Sequence, residues 1–317
     1  MKSLILILAS LAAGAASAQD YPSRPIRVVV PYSAGGSSDG PMRVIAQEMS
    51  KQLGHQMVVE NKPGQGAMLG SADVVKAPPD GYTLLLASNP NAISASLYSR
   101  LTHDPVEDFE PISLLASEQA VLLVHPSVPA KNLREFIAYV KQRPGKVDYS
   151  SSGNGSAQHL FMAMFLSQAG IQMSHIPYKG SAQAVTDLLG GQVSAAMPGL
   201  AAMRGHIRDG KARALAVSGA KRASAAPEIP TMMEQGMNDY ELYVWMGMLA
   251  PKSTPAPIIE RLHREFVTAL RAPAVKTFMD NAAIEAVGST PAEFGRFFRE
   301  EKVRWAKVIK ETGARID

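Results

Sequence analysis

Cysteine is absent from the 317-residue chain, so we expect neither a disulfide framework nor a lipid-modified cysteine that would tether the protein to a membrane. Aromatic residues are scarce at 6%, and charged residues reach only 19%, whereas hydrophobic residues as a whole make up 46%. This balance is typical of parallel sheets covered by helices, and it argues against a disordered chain.

The chain also lacks the signatures of nucleic-acid, metal and cofactor binding. Its formal net charge is only +4, and no run of Lys and Arg with interleaved aromatic residues accompanies the pI of about 9.2. The seven histidines show no His-Glu-x-x-His or similar spacing. After Gly64 and Gly66, Leu69 stands where a dinucleotide-binding loop has its third glycine. We therefore expect no nucleic-acid partner, no metal and no cofactor.

The N-terminus has the features of a secretory signal. Lys2 precedes an apolar run over residues 4–13, and the small residues Ala16-Ser17-Ala18 end the segment. The apolar run has about ten residues, whereas a bilayer-spanning helix needs about 20, so a permanent anchor is the weaker interpretation. We expect residues 1–18 to be a signal peptide cleaved near Ala18, and the mature protein to be a monomer in the periplasm.

Short β-rich runs alternate with longer helical patterns from residue 26 onwards. The first alternation reads β-α-β-α-β, which predicts a parallel sheet with helices on its faces. The predicted strands cover 26–30, 57–60, 82–87, 147–151, 173–177, 193–197, 212–217 and 240–249, and the predicted helices cover 43–53, 69–76, 133–141, 157–168, 182–189, 257–270 and 294–312.

An apolar run over residues 112–124 marks the crossing into a second lobe, where the alternation begins again. The predicted fold is therefore α/β, a two-lobe periplasmic binding protein (Venus flytrap) with a two-strand hinge. Lobe one comprises residues 19–110 plus 225–317, and the inserted lobe two comprises residues 111–224. Ligands in such sheets bind at the carboxyl ends of the strands, so the loops after the strands are the candidate site.

Two glycine-rich loops lie between a predicted strand and a predicted helix, one in each lobe. The first contains Tyr32, Ser33, Gly35, Gly36, Ser37 and Asp39, and the second contains Ser151, Gly153, Asn154 and Ser156. A helix N-terminus offers unpaired N–H groups and a partial positive charge, so a carboxylate can bind there without an arginine. Such turns are also common without a ligand, and Asp39 can act as a cap. The presence of two such loops facing one cleft is what favours a ligand clamp.

His159 and Tyr178 complete the candidate set in lobe two. His159 lies three residues after Ser156, so the two share one face of the early helix and could serve as base and nucleophile of a secreted hydrolase. The loop lacks the Gly-x-Ser-x-Gly elbow, and a histidine there can instead order the loop or meet the ligand. Tyr178 either forms part of the pocket wall or packs at the lobe interface. We expect a protein that is not an enzyme, with the Ser/His hydrolase as the alternative.

Longer motifs extend over nearly the whole mature chain. They include Pro25-Ile26-Arg27-Val28-Val29-Val30-Pro31-Tyr32, Asn61-Lys62-Pro63-Gly64, Pro79-Asp80-Gly81-Tyr82-Thr83-Leu84-Leu85, Ser152-Gly153-Asn154-Gly155-Ser156-Ala157-Gln158-His159-Leu160, Pro177-Tyr178-Lys179-Gly180 and Trp245-Met246-Gly247-Met248-Leu249-Ala250-Pro251. Together they resemble the tripartite tricarboxylate transporter substrate-binding receptors, also called the Bug family.

The resemblance implies a Venus-flytrap fold, no catalysis, and capture of a small carboxylate between the lobes, partly through ordered water at the first loop. It implies that Ser88 and Asn89 line the cleft from lobe one, together with Tyr32. It implies the same role in lobe two for Ser151, Gly153, Asn154, Ser156, His159 and Tyr178. Pro90 departs from the small polar residue that the family more often has there. The ligand class stays open among dicarboxylates, tricarboxylates, aromatic acids and acidic amino acids.

The same resemblance implies partners in the membrane. These would be a large and a small transporter subunit, and a membrane sensor that reads the ligand-bound form is the alternative partner.

Overall fold

The computed structural model describes residues 21–35, 38–98 and 100–313, and the predicted signal peptide lies outside them. The strands form two sheets. The first sheet contains β1 (Ile26–Val30), β2 (Met57–Asn61), β3 (Thr83–Ser88), β4 (Phe109–Gln119), β10 (Tyr243–Pro251) and β11 (Glu285–Ala286); the second contains β5 (Val121–Val124), β6 (Asp148–Ser151), β7 (Ser174–Pro177), β8 (Ala195–Ala196) and β9 (Arg213–Val217). The strand orders are β11-β4-β10-β3-β1-β2 and β7-β6-β8-β5-β9.

Helices cover the faces of both sheets. Those in the first lobe are α1 (Asp39–Leu53), α2 (Met68–Val75), α3 (Asn89–Leu97), α8 (Ala256–Arg271), α9 (Pro273–Ala282) and α10 (Pro291–Thr312); those in the second lobe are α4 (Leu133–Lys141), α5 (Ala157–Ala169), α6 (Ser181–Leu189) and α7 (Leu200–Arg208). Their ends follow local chemistry. Thr290 and Glu293 form a capping box at the start of α10, and Gly54 ends α1 in the left-handed conformation.

The first sheet is buried on both faces. Val28 and Val30 pack into one apolar layer with residues of α1 and α8, whereas Val29 packs into another layer that includes Phe294 of α10. Side chains alternate between the faces of a strand, so a strand covered on both sides reads as one continuous apolar run. This explains why β1 was predicted with its observed bounds.

The chain crosses between the sheets twice, and the two crossings are hydrogen-bonded to each other. The first crossing passes from β4 to β5 through Ala120, and the second leaves β9 at Ser218 and reaches β10 after Leu242. Ser218 Oγ accepts the Ala120 N–H at 2.9 Å and donates to the Leu242 carbonyl, while Leu242 N–H donates to the Ser218 carbonyl at 3.0 Å. The two segments therefore form a single paired connection, as a two-strand hinge requires.

Strand directions place the carboxyl ends of both sheets at this connection. Strands β3 and β4 are both antiparallel to β10, and β1 and β2 run parallel to β3, so all four end where the chain leaves for the second sheet. In the second sheet β8 is antiparallel to β5, and β6 and β7 run with β8. Strands β6, β7 and β8 thus end where β5 begins. The loops after β1 and β3 therefore face the loops after β6 and β7.

Three helices, α3, α7 and α9, have no counterpart in the sequence-based prediction. Helix α3 opens with Asn-Pro-Asn, which favours a turn, but a capping box of Ser88 and Asn91 starts the helix and the proline falls in its first turn. The C-terminal helix also reaches the second lobe, because Trp305 stacks on Phe161 with ring centroids 5.6 Å apart. Within the described residues, no helix has the length and apolar composition needed to cross a bilayer.

Candidate functional site

The first glycine-rich loop is held in shape by Asp39, the first residue of α1. The Asp39 carboxylate accepts the Gly35 N–H, Arg43 Nε and Asn61 Nδ2, each at 2.9 Å, and the residue is only 3% exposed. Burial acts to raise the pKa of this carboxyl, but the hydrogen bonds from Arg43, Gly35 and Asn61 outweigh it and lower the pKa. Asp39 therefore holds the loop in place, and its carboxylate oxygens already accept hydrogen bonds from the loop backbone, from Arg43 and from Asn61.

The remaining residues of this loop differ in solvent exposure and in whether their polar groups already make hydrogen bonds. Ser33 and Gly35 are exposed, whereas the half-buried Tyr32 donates its hydroxyl to Asn91 Oδ1 at 2.8 Å. Ser38 makes no side-chain cap hydrogen bond at the start of α1, and no described residue accepts the Asp39 or Gly40 N–H, so these two groups are available to an anion. Gly36 and Ser37 lie outside the described residues.

Ser88 and Asn89 are buried and bonded to the backbone of β10. Ser88 Oγ donates to the Trp245 carbonyl, and Asn89 donates from Nδ2 to the Tyr243 carbonyl at 3.0 Å and accepts the Trp245 N–H at 3.2 Å. These contacts join α3 to the strand that returns from the second lobe. Ser88 and Asn89, which are predicted to line the cleft, therefore hold its wall in place by bonding to the backbone of β10.

Asn91 is a residue at this site that sequence reasoning missed. It is fully buried, and its Oδ1 accepts both the Tyr32 hydroxyl and the Ser88 N–H. Its Nδ2 is a buried donor without a partner among the described residues. The local signal was the Ser-x-x-Asn spacing of a helix start, which the proline between them obscured.

In the second glycine-rich loop, Ser151 and Ser156 order the backbone. Ser151 Oγ lies 2.6 Å from His175 Nε2 and also contacts the backbone of Gly153, while Ser156 Oγ caps α5 by accepting the His159 N–H at 3.3 Å. Asn154 at the tip is exposed. The loop thus has a fixed base and an exposed polar tip.

His159 is a neutral donor rather than a catalytic base. Its Nδ1 accepts the Gly155 N–H at 3.1 Å, which requires the ring proton to be on Nε2. The ring stacks on His175 with centroids 4.1 Å apart, burial lowers the pKa of His159, and burial together with His159 lowers that of His175 to about 4. Ser156 Oγ bonds the backbone and not the imidazole, so the predicted pair Ser156 and His159 does not make the nucleophile–base contact of a hydrolase.

Tyr178 follows β7 and turns its hydroxyl towards α6. The hydroxyl donates to Asp187 Oδ2 at 2.6 Å, and this hydrogen bond raises the pKa of Tyr178 to about 12. The ring packs against the apolar cluster of the second lobe, which includes Leu188. Its backbone N–H donates to the Ser151 carbonyl at 3.0 Å, so Tyr178 and the second loop are positioned together.

Glu118 is the second residue that sequence reasoning missed, although an acidic residue inside the apolar run 112–124 was a visible signal. It lines a very small cavity at the hinge, of about 20 Å³, whose other lining residues are Ser38, Ala116, Ser117, Val244, Trp245, Met246 and Ile284. Ser38 comes from the first glycine-rich loop. The cavity therefore joins that loop to the base of the cleft.

No group of three or more His, Asp or Glu side chains in residues 21–35, 38–98 and 100–313 is arranged to hold a metal ion. The donors gathered at the facing sheet edges are N–H groups, hydroxyls, an amide and an imidazole. These are groups that bind an anion by hydrogen bonding.

Known proteins share this architecture over most of the chain. The family model described as tripartite tricarboxylate transporter family receptor matches residues 42–314. The chain is 38% identical over 314 residues to protein BugT of Bordetella pertussis, covering 98% of this chain and 96% of BugT. It is similar to the solved structure of the periplasmic binding protein BugD, with 34% identity, a TM-score of 0.83, and coverage of 93% of this chain and 99% of BugD.

A further solved structure is that of R. palustris Rpa4515 with adipate, which is 32% identical, with a TM-score of 0.85 and coverage of 94% of this chain and 100% of that one. The likeness to BugD confirms the predicted α/β fold of a two-lobe periplasmic binding protein. The matched family consists of receptors, so the prediction that the protein is not an enzyme is also confirmed.

Proposed function

Because the chain belongs to the tripartite tricarboxylate transporter receptor family, we propose that it is a periplasmic solute-binding protein that captures a small carboxylate in the cleft between its two sheets. The observation that carries the proposal is the pair of glycine-rich loops at facing sheet edges, each followed by a helix N-terminus. The adipate bound by the similar protein Rpa4515 is a ligand of this chemical class.

The first lobe would supply the main anion cradle. The uncapped first turn of α1 presents N–H groups and the positive end of the helix dipole, and Asp39 holds the preceding loop in place from below. Because the Asp39 carboxylate accepts three hydrogen bonds and pairs with the Arg43 guanidinium, it keeps the loop in shape while its charge towards a bound anion is partly balanced. Ser33 and the exposed Gly35 would complete this side of the site.

The second lobe would close over the ligand and fix its orientation. His159 has an Nε2–H that no described residue accepts, and Asn154 carries an exposed amide at the loop tip. Lobe one (19–110 and 225–317) and lobe two (111–224) would rotate about the paired connection at Ala120 and Ser218. Membrane transporter subunits are the proposed partners of the closed monomer, which the signal peptide would direct to the periplasm.

A thermal-shift screen with dicarboxylates, tricarboxylates, aromatic acids and acidic amino acids tests the proposal. A ligand at about 100 times its Kd stabilises the folded state by roughly 2.7 kcal/mol, so a binder raises the Tm clearly. Failure of every acid to shift the Tm of the folded, ligand-free mature protein would contradict it.

Two glycines at opposite ends of α1 provide a matched mutational test of the site. Gly35 and Gly54 have φ of +75° and +69°, and a Cβ at either would meet no atom within 4 Å. A valine strains both positions similarly, because β-branched residues avoid positive φ. We expect Gly35→Val to abolish carboxylate binding measured by calorimetry and Gly54→Val to retain it, both with a folded circular-dichroism spectrum. Equal affinities in the two variants would refute the placement of the anion cradle.

A further inference from the structure

Charge is divided unequally between the two lobes. Lobe two, residues 111–224, carries 12 Lys and Arg against 5 Asp and Glu, a net charge of +7. Lobe one, residues 19–110 plus 225–317, carries 19 Lys and Arg against 23 Asp and Glu, a net charge of −4. The small positive charge of the whole chain therefore conceals one strongly positive lobe, and such an asymmetry indicates a partner of the opposite sign.

Most cations of lobe two have no carboxylate partner. Of the 12 in residues 111–224, all of which the structure describes, only Arg208 and Arg222 form ion pairs. The carboxylates of this lobe mostly accept hydrogen bonds from backbone N–H groups or from the Tyr178 hydroxyl; those that do so are Glu118, Glu135, Asp148 and Asp187. The positive charge of lobe two is therefore left facing solvent.

Five of these unpaired cations form one surface on helix α4 and the loop that follows it. Leu133, Phe136 and Val140 bury the opposite face of α4, and Phe136 stacks on Phe165 of α5 with ring centroids 6.3 Å apart. Glu135 is the one acidic residue between positions 131 and 146, and α5 beneath the helix contains none. The basic surface consists of the exposed residues Lys131, Arg134, Lys141, Arg143 and Lys146.

The basic surface lacks the apolar anchors on which protein interfaces depend. Residues 131–146 are all described, and none of them is a large hydrophobic residue with an exposed side chain. Tight protein interfaces are centred on buried aromatic or aliphatic side chains. An anionic lipid surface, in contrast, attracts clustered Lys and Arg through their charge alone. The composition of this surface therefore favours a membrane over a protein partner.

We infer that lobe two carries a membrane-docking surface, in which the cations of α4 and of the loop after it bind the anionic headgroups of a phospholipid bilayer. The inference goes beyond the proposed function, because carboxylate capture requires neither lipid nor this surface. Helix α4 follows the end of β5 that lies away from the hinge, whereas the second glycine-rich loop lies at the hinge end of β6. Docking through α4 therefore leaves the cleft free.

Sedimentation with lipid vesicles tests the inference. We expect the mature protein to bind vesicles of equal parts phosphatidylglycerol and phosphatidylcholine about tenfold or more tightly than vesicles of phosphatidylcholine alone, at an ionic strength of about 0.01 M. Raising the ionic strength to about 0.15 M shortens the Debye length from about 30 Å to about 8 Å, so the preference should fall steeply.

A triple variant assigns the binding to the basic surface. Arg134→Gln, Lys141→Gln and Lys146→Gln together remove three charges whose side chains make no hydrogen bond or ion pair with a described residue. Each Lys or Arg near an anionic surface contributes about fivefold to partitioning, so we expect the triple variant to bind phosphatidylglycerol vesicles about 100-fold more weakly.

A matched triple variant in lobe one controls for net charge. Lys76→Gln, Arg264→Gln and Lys310→Gln remove the same number of exposed cations, none of which forms an ion pair with a described residue. We expect this variant to lose about threefold at most in vesicle binding, because its charges lie on the other lobe. Circular dichroism checks that both variants fold, and calorimetry should give both the carboxylate affinity of the native protein.

Three outcomes would overturn the docking surface. Equal binding of the native protein to the two kinds of vesicle would show that anionic headgroups are not recognised. Equal losses in the two triple variants would show a response to net charge without a defined surface. Displacement from vesicles by poly-glutamate at about a tenth of the lipid charge concentration would identify an acidic protein as the better partner. Carboxylate capture stands or falls separately, because the vesicle measurements are made without a carboxylate.

Discussion

The buried Glu118 should make the stability of the ligand-free protein depend on pH in an unusual direction. Burial raises the pKa of this carboxyl from 4.5 to about 7. Between these values the folded protein keeps a proton that the unfolded chain has released, so the free energy of unfolding falls as the pH rises from 4.5 to about 7. Most surface carboxylates that pair with cations act in the opposite direction.

The size of the effect follows from the shift. A pKa difference of one unit corresponds to about 1.4 kcal/mol, so ionisation of Glu118 costs about 3 kcal/mol of stability above pH 7 as an order of magnitude. Glu118→Gln preserves the shape and the acceptor for Ala201 but never ionises. We expect the variant to match the native protein near pH 4.5 and to exceed it by a few kcal/mol at pH 8.

Urea unfolding followed by circular dichroism at several pH values between 5 and 8 measures this difference. Glu110→Gln is the control, because Glu110 lies on the same strand and pairs with Lys252 at 3.3 Å near the surface, where such pairs contribute at most about 1 kcal/mol. If the stability difference between Glu118→Gln and the native protein stays constant over this range, burial does not raise the pKa of Glu118 and the reasoning about stability is refuted.

Three other predictions concern the loops and the hinge. Asp39→Asn should weaken carboxylate binding and lower the Tm at pH 7. Because the folded protein lowers this pKa, the native advantage in Tm should begin to shrink below pH 3.8 and disappear below the folded-state pKa; an undiminished advantage at pH 3 would contradict it. Ser156→Ala should cost about 1 kcal/mol in urea unfolding through the lost cap of α5, and any ester hydrolysis that vanishes with it would favour the enzyme alternative. Gly199→Ala should destabilise the native protein by about 1–3 kcal/mol, and much less in a Glu118→Ala background, since its Cβ would meet that carboxylate; additive losses would refute the contact.

The amino-acid sequence by itself determined the strand-and-helix alternation and the places of the two glycine-rich loops. These features depend on neighbours within a few positions: β1 is a continuous apolar run because it is covered on both faces, and a glycine-rich segment before a helix marks a turn. Helix α3 was missed because its first turn contains Pro90, and α7 was missed because Pro198 and Gly199 directly precede it; the local preference of these residues is for a turn.

Only the tertiary structure decided what each polar side chain of the site does. Ser88 donates to the Trp245 carbonyl 157 residues away, and Asp39 accepts hydrogen bonds from donors that include Asn61 from the next strand. Glu118 lies in a strand that reads as apolar, and its burial depends on Gly199, the residue before α7. Hydrophobic periodicity specifies which face of an element is buried, but the partner of a buried polar group is set by the strand pairing and lobe packing that bring distant segments together.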